Sequence, residues 1–480
     1  MRRSSLSPSS PRGLLVAGTR SGCGKTSVAL GLMRAFARRG LRVRAFKAGP
    51  DFIDPGHHAL ATGTPSHNLD DWMCGAAGTR EIFARHAAGA DVAVVEGVMG
   101  LYDGYAATET AGSSASLARL LGLPVLLVAD AASMARSAAA MVGGYLSFEP
   151  DLRFCGVVLN NAGSDSHAAL LREVMAGCLP GARLWGVLPR RAALVMPSRH
   201  LGLVTAGDDA GAAARLDALA DWIEAAMDLD MLLTSLSPLD LPPPSGGSGG
   251  DDPPQQGSPE GAAPPLAAGG IRLGVARDAA FCFYYAENLR LFEAAGMELV
   301  PFSPLTDRAL PEGLDGLYFG GGYPELHAAR LAANAGMLAG VRAFCASGRP
   351  VLAECGGFMY LMASLADLSG NEHAMAGVFP FRAAMGERFS ALGYRQVTTL
   401  ADTLLGPAGT RLRGHEFHYS RIVGDVEGVA DVYAAVGRKG ELPGRHGFLR
   451  GGTLGSYVHL HFGSCPQAAE AFARACREGR

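Results

Sequence analysis

The chain has 480 residues, in which 42 Lys and Arg nearly balance 45 Asp and Glu to give a net charge of −3. This balance leaves no basic footprint for nucleic acid or an anionic membrane, and no apolar stretch reaches the roughly 18 residues that a membrane span requires. Small-molecule chemistry is therefore the favoured class of function. A chain of this length exceeds one core, so two or three domains are expected.

The nine cysteines are odd in number, scattered and free of any CxxC pair. This pattern argues against a disulfide framework or a zinc cluster and indicates reduced thiols. The apolar run after the basic N-terminus, "LLVAG", is too short for the core of a signal peptide. We therefore expect a cytoplasmic protein.

Composition divides the chain into two domains. Residues 236–269 are rich in Pro, Gly and Ser and have almost no large apolar side chains. Such a stretch cannot bury enough surface to offset its ordering entropy, which predicts a flexible linker. The linker separates a domain at 13–235 from a domain at 270–480, and residues 1–12 are predicted to form a disordered tail.

The first domain alternates short apolar strands with Ala- and Leu-rich helical stretches, from "GLLVAG" to "RLWGVLP". This βαβ pattern predicts an α/β fold with a parallel sheet covered on both faces. Directly after the first strand, "GTRSGCGKTS" opens a helix. Its glycines let backbone N–H groups surround phosphates, and the helix N-terminus adds positive charge, so a P-loop nucleotide site is predicted.

Two lysines stand out, because Lys25, Lys47 and Lys439 are the only ones in the chain. Lys25 lies in the loop, where it would reach the β- and γ-phosphates. Lys47 ends the second strand. The frame departs from the strict P-loop, since Thr19 occupies the position of its first glycine. The predicted nucleotide-binding residues are Gly18, Thr19, Ser21, Gly22, Gly24, Lys25, Thr26 and Lys47.

Acidic residues follow the next strands of the first domain. Asp51 and Asp54 lie on a loop after the second strand, and Glu96 and Asp103 follow "DVAVV". The carboxyl ends of parallel strands are the usual place for ligands, and carboxylate and hydroxyl oxygens suit Mg²⁺. We predict a magnesium site formed by Thr26, Asp51 and Glu96; a surface loop with ordinary turn aspartates is the alternative for Asp51 and Asp54.

The second domain repeats the strand and helix alternation and then ends in strands with few helices, which predicts an antiparallel or mixed extension. In "PVLAECGGFMY" a strand turns sharply into a helix at Cys355. Such an elbow exposes a nucleophile near a helix N-terminus and favours the thiolate. The glycine run at 318–325 could offer backbone N–H groups to an oxyanion. A small buried cysteine is the alternative interpretation.

A cysteine nucleophile needs a base, and "GSYVHLHF" places His459 and His461 on one face of a strand. Either one could be the partner of Cys355. Both could instead be metal ligands, or one could be a core histidine, but no third ligand at convincing spacing stands nearby.

These motifs resemble a known family. The P-loop, "KAGPDFID", "NLDDWM" and "EGVMGLYDG" are similar to those of cobyrinic acid a,c-diamide synthases, whose ATP domain is akin to dethiobiotin synthetase. The second half resembles a triad-type glutamine amidotransferase with a flavodoxin-like mixed sheet. The resemblance implies that Cys355 is the nucleophile and His459 the base. Many relatives carry Glu two residues after that histidine, where His461 stands here, so the third triad member is absent or supplied from elsewhere.

The resemblance implies ATP-dependent amidation of the a and c carboxylates of cobyrinic acid, with ammonia from glutamine and Mg²⁺ as cofactor. Hydrogenobyrinic acid, a nickel tetrapyrrole and cobyric acid synthase activity are alternatives. A P-loop partitioning or scaffold protein is the non-enzyme alternative. The expected partners are ATP, glutamine and a corrinoid, without nucleic acid or membrane, and a homodimer is left open.

Overall fold

The computed structural model describes residues 10–105, 110–194, 196, 198–199, 202–203, 205, 207, 209, 211–241 and 270–479. These residues form two compact units, one on either side of the gap that follows residue 241. The predicted α/β architecture is confirmed, with a parallel sheet in the first unit and a mixed sheet in the second.

The first unit is a parallel sheet with helices between its strands. Its elements in chain order are β1 (Arg12–Gly18), α1 (Lys25–Arg38), β2 (Val43–Ala48), α2 (Ile53–Thr62), β3 (His67–Leu69), α3 (Gly75–Ala87), β4 (Val92–Glu96), α4 (Ser114–Leu121), β5 (Val125–Asp130), α5 (Arg136–Phe148), β6 (Phe154–Ala162), α6 (Asp165–Cys178), β7 (Leu184–Pro189), β8 (Ser198–Arg199), β9 (Gly202–Leu203), α7 (Ala212–Glu224) and α8 (Leu229–Ser235). The seven-stranded order is β3-β2-β4-β1-β5-β6-β7.

The central strands of this sheet are buried on both faces. Every residue of β4 is buried, and β1 is buried after its first residue. Continuous apolar runs of this kind are what a parallel sheet between two helical layers requires. Because all seven strands are parallel, the carboxyl ends of β1, β2 and β4 lie side by side at one edge.

The ends of the first unit differ slightly from the predicted boundaries. Leu236 and Leu239 fall within the predicted linker but are buried, and the Leu239 N–H donates to the Pro11 carbonyl. These leucines supply the apolar surface that the rest of the stretch lacks. The remainder of the predicted linker, 242–269, and of the predicted tail, 1–9, lies outside the described residues.

The second unit contains the remaining elements. In chain order they are β10 (Ile271–Ala276), α9 (Ala286–Ala294), β11 (Met297–Phe302), β12 (Gly316–Phe319), α10 (Ala328–Ala333), α11 (Ala335–Ala346), β13 (Val351–Glu354), α12 (Gly356–Leu361), β14 (Ser364–Ala366), β15 (Glu372–Ala374), β16 (Arg382–Ala384), β17 (Ala391–Thr399), β18 (Arg411–His418), β19 (Arg421–Val423), β20 (Ala430–Gly437), β21 (Gly440–Glu441), β22 (His446–Arg450), β23 (Thr453–Ser456), β24 (His459–His461) and α13 (Gln467–Glu478).

The large sheet of the second unit has the order β11-β10-β12-β13-β23-β22-β20-β17-β18-β24, with β21 beside β20. Its first five strands are parallel and the others antiparallel, which confirms the predicted mixed extension. The small sheet β15-β14-β16-β19 was not predicted, because its three-residue strands are too short for a clear period-2 pattern. The last strand of this order, β24, lies beside the carboxyl end of β13, because the Leu460 N–H donates to the Glu354 side chain.

Candidate active sites

The predicted P-loop connects β1 to α1. Gly22 and Gly24 have φ values of 77° and 97°, in the left-handed region that favours glycine. A Cβ on Gly24 would overlap the Asn160 side chain, and one on Gly18 would overlap the Cys23 sulfur. The glycines are therefore required by close packing as well as by backbone conformation. Cys23 is fully buried, as expected for a small spacer.

Two residues from other strands and helices hold the loop in place. Asn160, at the carboxyl end of β6, donates from Nδ2 to the Cys23 carbonyl at 3.0 Å. The Tyr145 hydroxyl on α5 donates to the Thr19 carbonyl. Ser21 and Gly22 remain exposed at the tip, while Lys25 begins α1 and is 8% exposed. Sequence reasoning missed Asn160, although its place at the end of a parallel strand was a signal.

A buried charge cluster lies beside the loop. Glu96, which is completely buried, accepts hydrogen bonds from the Thr26 hydroxyl at 2.6 Å, from Lys47 at 3.1 Å and from His58 at 2.7 Å. Lys47 also pairs with Asp54 at 2.6 Å. The structure therefore brings together three of the predicted site residues, Thr26, Lys47 and Glu96. His58 was missed, because its place in α2 carries no motif.

The charges of this cluster decide its protonation. Burial alone would lower the pKa of Lys47, but the negative charges of Asp54 and Glu96 outweigh burial and raise it. Burial alone would raise the pKa of Glu96, but Lys47 and His58 hold it well below the usual range. Burial and the charges of Asp51 and Glu96 raise the pKa of Asp54, while its ion pair with Lys47 opposes that increase. The cluster thus holds an ionised Glu96 beside a protonated Lys47.

The other two predicted acidic residues have local roles in the backbone. Asp51 Oδ1 accepts from the N–H groups of Ile53 and Asp54 at 2.8 and 2.9 Å, which caps the start of α2. Asp103 Oδ2 accepts from the Gly100 N–H at 2.9 Å. The negative charge of Asp51 also raises the pKa of Lys47, so Asp51 contributes to the electrostatics of the cluster.

The second site is centred on the elbow between β13 and α12. Cys355 has φ 46° and ψ −103°, a strained conformation for a residue with a Cβ. Gly356 and Gly357 permit the tight turn, because a Cβ on the first would crowd Pro324 and one on the second would crowd Phe319. The elbow is the strand-to-helix geometry that presents a nucleophile at the edge of a sheet.

The expectation of an exposed thiolate is wrong for this structure. Cys355 is only 7% exposed, and burial raises its pKa above that of an ordinary thiol. The charge of Glu325 raises the pKa further, and these effects outweigh the backbone hydrogen bond from Gly356. The resting residue is a neutral thiol, so its activation requires a base.

His459 lies on β24, and Gly321 packs directly against its imidazole, where a Cβ would overlap the ring. The ring also stacks on His415 across the strand pair, with ring centroids 5.0 Å apart. Burial lowers the pKa of His459 to about 3, which keeps the imidazole neutral and able to accept a proton. His461 differs, because its Nδ1 accepts from the Gly463 N–H at 3.1 Å and so stabilises the local turn.

The glycine run contributes less to an oxyanion site than the sequence suggested. The Gly320 N–H donates to the Tyr284 hydroxyl at 2.9 Å, and the Gly321 N–H donates to the Phe283 carbonyl at 3.3 Å. Both are therefore used by the fold. The Gly322 nitrogen lies beside Gly356, which is the residue that directly follows Cys355.

A buried carboxylate not predicted from the sequence acts on the same site. Glu416 on β18 accepts from Arg395 Nε at 2.7 Å and is bonded to His418 Nε2 at 2.9 Å. Its negative charge raises the pKa of both Cys355 and His459, and for His459 it opposes the lowering of the pKa by burial. The position two residues after His459 holds His461, so the carboxylate whose charge reaches His459 is that of Glu416 on another strand.

Comparison with known proteins agrees with this architecture. Residues 14–204 match the CobQ/CobB/MinD/ParA nucleotide binding domain, and residues 272–466 match the CobB/CobQ-like glutamine amidotransferase domain. The chain is 45% identical to the cobyrinate a,c-diamide synthase of Syntrophotalea carbinolica over 98% of this chain and 99% of the relative. It belongs to the a,c-diamide synthase family.

Two further relatives carry the name hydrogenobyrinate a,c-diamide synthase. The hydrogenobyrinate a,c-diamide synthase of Agrobacterium fabrum is 43% identical over 92% of this chain and 97% of the relative. The enzyme of the same name from Streptomyces coelicolor is 44% identical over 97% of each chain. Full-length similarity to ligases sets aside the scaffold alternative. No helix in the described part of the chain is long and apolar enough to cross a membrane.

Proposed function

We propose that this protein amidates the a and c carboxylates of cobyrinic acid, using ATP and ammonia released from glutamine. The observation that carries the proposal is the presence, in one chain, of a P-loop with a buried Lys47–Glu96 cluster and a cysteine elbow with a neighbouring neutral histidine. A carboxylate does not react with ammonia unaided. ATP would convert it to an acyl phosphate, which ammonia then opens with release of phosphate.

At the first site, the P-loop amides and Lys25 would bind the phosphates of ATP. Thr26, Asp51 and Glu96 would hold Mg²⁺, and their hydroxyl and carboxylate oxygens are the hard donors that this ion prefers. When bound, Mg²⁺ would neutralise phosphate charge. Lys47, held protonated between its two carboxylates, would add positive charge beside the phosphates.

At the second site, the neutral imidazole of His459 would take the proton of the Cys355 thiol as its sulfur attacks the side-chain carbonyl of glutamine. The Gly322 N–H would stabilise the oxyanion. The imidazolium then returns the proton to the leaving nitrogen, which departs as ammonia and leaves a glutamyl thioester. Water, deprotonated by the same imidazole, releases glutamate and restores the thiol.

The division of labour predicts the result of Cys355→Ala. Glutamine-dependent amidation should fall below detection, while amidation with added ammonium salt should remain close to that of the native protein, because the first site is intact. Mass spectrometry of the corrinoid product measures both reactions. Equal loss of both activities would show that the two sites do not divide the reaction in this way.

The choice of base is tested by a matched pair of variants. His459→Asn should lower glutamine hydrolysis by about 10²–10⁴-fold, the usual contribution of a general base. His461→Asn should cost much less, because an asparagine oxygen can also accept from the Gly463 N–H. Release of glutamate is the measurement, and equal losses in the two variants would contradict the assignment.

The names of the relatives favour a second candidate substrate, the metal-free hydrogenobyrinic acid. Incubation with ATP, Mg²⁺, glutamine and each of cobyrinic acid, hydrogenobyrinic acid and nickel sirohydrochlorin would decide between them. Two successive amidations of cobyrinic acid, seen by mass, support the proposal. Amidation of only one of the other macrocycles would replace it.

A further inference from the structure

The strand that carries His459 has one open edge. β24 pairs only with β18 within the described sheet, through His415 opposite His459 and Arg413 opposite His461. The N–H and C=O groups of the alternate residues, Leu460 and Phe462, face away from β18. Leu460 is 1% exposed and Phe462 is completely buried, so water cannot satisfy these groups.

Two buried side chains take the place of a neighbouring strand along this edge. Glu354 Oε1 accepts from the Leu460 N–H at 3.0 Å. Asn288, on α9, donates from Nδ2 to the Leu460 carbonyl at 2.7 Å and accepts at Oδ1 from the Phe462 N–H at 2.8 Å. Alternating donors and acceptors of this kind are the pattern of a strand pair. Glu354 is 2% exposed and Asn288 is fully buried.

The sequence positions of these bonds matter for the reaction. Glu354 directly precedes Cys355, and Leu460 directly follows His459, so one hydrogen bond links the immediate neighbours of the two groups. Along the sheet, β13 and β24 are separated by β23, β22, β20, β17 and β18. The ladder between β13 and β23 ends with Glu354 opposite Ser456, and residues 457–458 then lead to His459. β24 itself has no ladder with β13 in the described sheet, so side-chain hydrogen bonds are what hold it against the elbow.

We propose that Glu354 and Asn288 are positioning residues for glutamine hydrolysis, which act through His459 by fixing the strand β24 against the Cys355 elbow. The inference rests on the proposed roles of Cys355 and His459. The function assigned to Glu354 is that of a hydrogen-bond acceptor at Oε1. Its second oxygen accepts from the Tyr318 hydroxyl at 2.8 Å, which fixes the orientation of the carboxyl group.

Substitutions of Glu354 in the full-length protein separate shape from hydrogen bonding. Glu354→Met keeps the length of the side chain but removes the acceptor, and should lower kcat for glutamine hydrolysis by about 100-fold, the usual cost of a misplacement of about 1 Å. KM should stay within about threefold, because glutamine binding is not directly altered. Glu354→Gln should restore most of kcat, since its amide oxygen can accept from Leu460.

Asn288 provides an independent arm of the test. Asn288→Leu has similar volume and removes both hydrogen bonds, so it should also lower kcat while KM changes little. Ammonia-dependent amidation reports separately that the first unit is intact. If Glu354→Met and Asn288→Leu both leave kcat within about threefold of the native value, the open edge needs no support and the proposal is wrong.

The decisive readout is whether the effect passes through His459. Alkylation of Cys355 by iodoacetamide, followed by mass spectrometry of its peptide, measures thiol activation even when turnover is absent. Glu354→Met should slow alkylation in the native background but not in a His459→Asn background, because neighbouring residues in one network are not additive. An equal slowing in both backgrounds would mean that Glu354 acts on the fold or on Cys355 directly, which overturns the proposal.

Failure of the underlying function gives a different result. If His459→Asn alone does not slow alkylation, or if Cys355→Ala still hydrolyses glutamine, the assignment of nucleophile and base is wrong. If both of these controls behave as expected and only the Glu354 and Asn288 variants leave kcat for glutamine hydrolysis unchanged, the assignment of Cys355 and His459 is retained. The positioning role of Glu354 and Asn288 is then wrong.

Discussion

The protonation of Glu354 makes a prediction about stability that is independent of turnover. Burial is the main cause that raises the pKa of Glu354 to about 7, against an ordinary value of 4.5. The folded protein therefore binds this proton more tightly than the unfolded chain does. The resulting stabilisation is complete below the ordinary pKa and is lost as the pH rises through the folded pKa.

The perturbation is Glu354→Gln, which removes the titrating proton while keeping the size of the side chain. Each unit of pKa difference corresponds to about 1.4 kcal/mol. Between about pH 5.5 and pH 7.5 the remaining difference is about 1.5 units, so the native protein should lose about 2 kcal/mol relative to the variant. The free energies of unfolding of the two proteins should therefore converge or cross as the pH rises.

The assay must follow the second unit, because all three tryptophans, at 72, 185 and 222, lie in the first. Pulse proteolysis in urea, with the surviving second unit quantified by mass, gives its free energy of unfolding at each pH. Glu441→Gln, which removes an exposed carboxylate from the same unit, is the matched control and should track the native protein. Parallel pH profiles for Glu354→Gln and the native protein would refute the buried, proton-bearing carboxyl group.

Two glycine substitutions test the two sites separately. Gly24→Ala forces an alanine into a left-handed conformation, at a cost of about 1–2 kcal/mol, and displaces the Asn160 side chain. KM for ATP should therefore rise about tenfold or more. The control Gly177→Ala, at an open position in a helix, should leave KM for ATP unchanged. Gly321→Ala places a methyl group against the His459 ring and should lower glutamine hydrolysis about 100-fold, while ammonia-dependent amidation persists. Steady-state kinetics check both; an unchanged KM for ATP, or intact glutamine hydrolysis, would contradict the respective packing argument.

Local sequence patterns predicted the parts of each site that lie within one continuous segment. The P-loop glycines, Lys25 and Thr26 occupy one turn from strand to helix, and their spacing is the basis of the nucleotide site proposed for them. The elbow at Cys355 was equally visible, because an apolar run that ends at Glu-Cys-Gly-Gly before a helical pattern marks a sharp turn, which the two glycines permit. Such motifs depend on backbone geometry over a few residues, which the sequence specifies directly.

Local sequence patterns did not predict the protonation states of these residues. The sequence pattern indicated a thiolate at Cys355, but burial in the folded unit makes it a neutral thiol. The same burial keeps His459 neutral. Desolvation depends on everything packed around a group, most of it distant in sequence, so no local motif reports it.

The sequence alone determined the α/β class, the order of the two domains and the segments in which the proposed site residues lie. Only the tertiary structure decided which distant groups support them. Asn160 reaches the P-loop from the end of β6, and Glu354 and Asn288 close the open edge of β24. The physical reason is that each of these contacts joins side chains to backbone groups more than a hundred residues away, and such pairings leave no periodic pattern in the sequence.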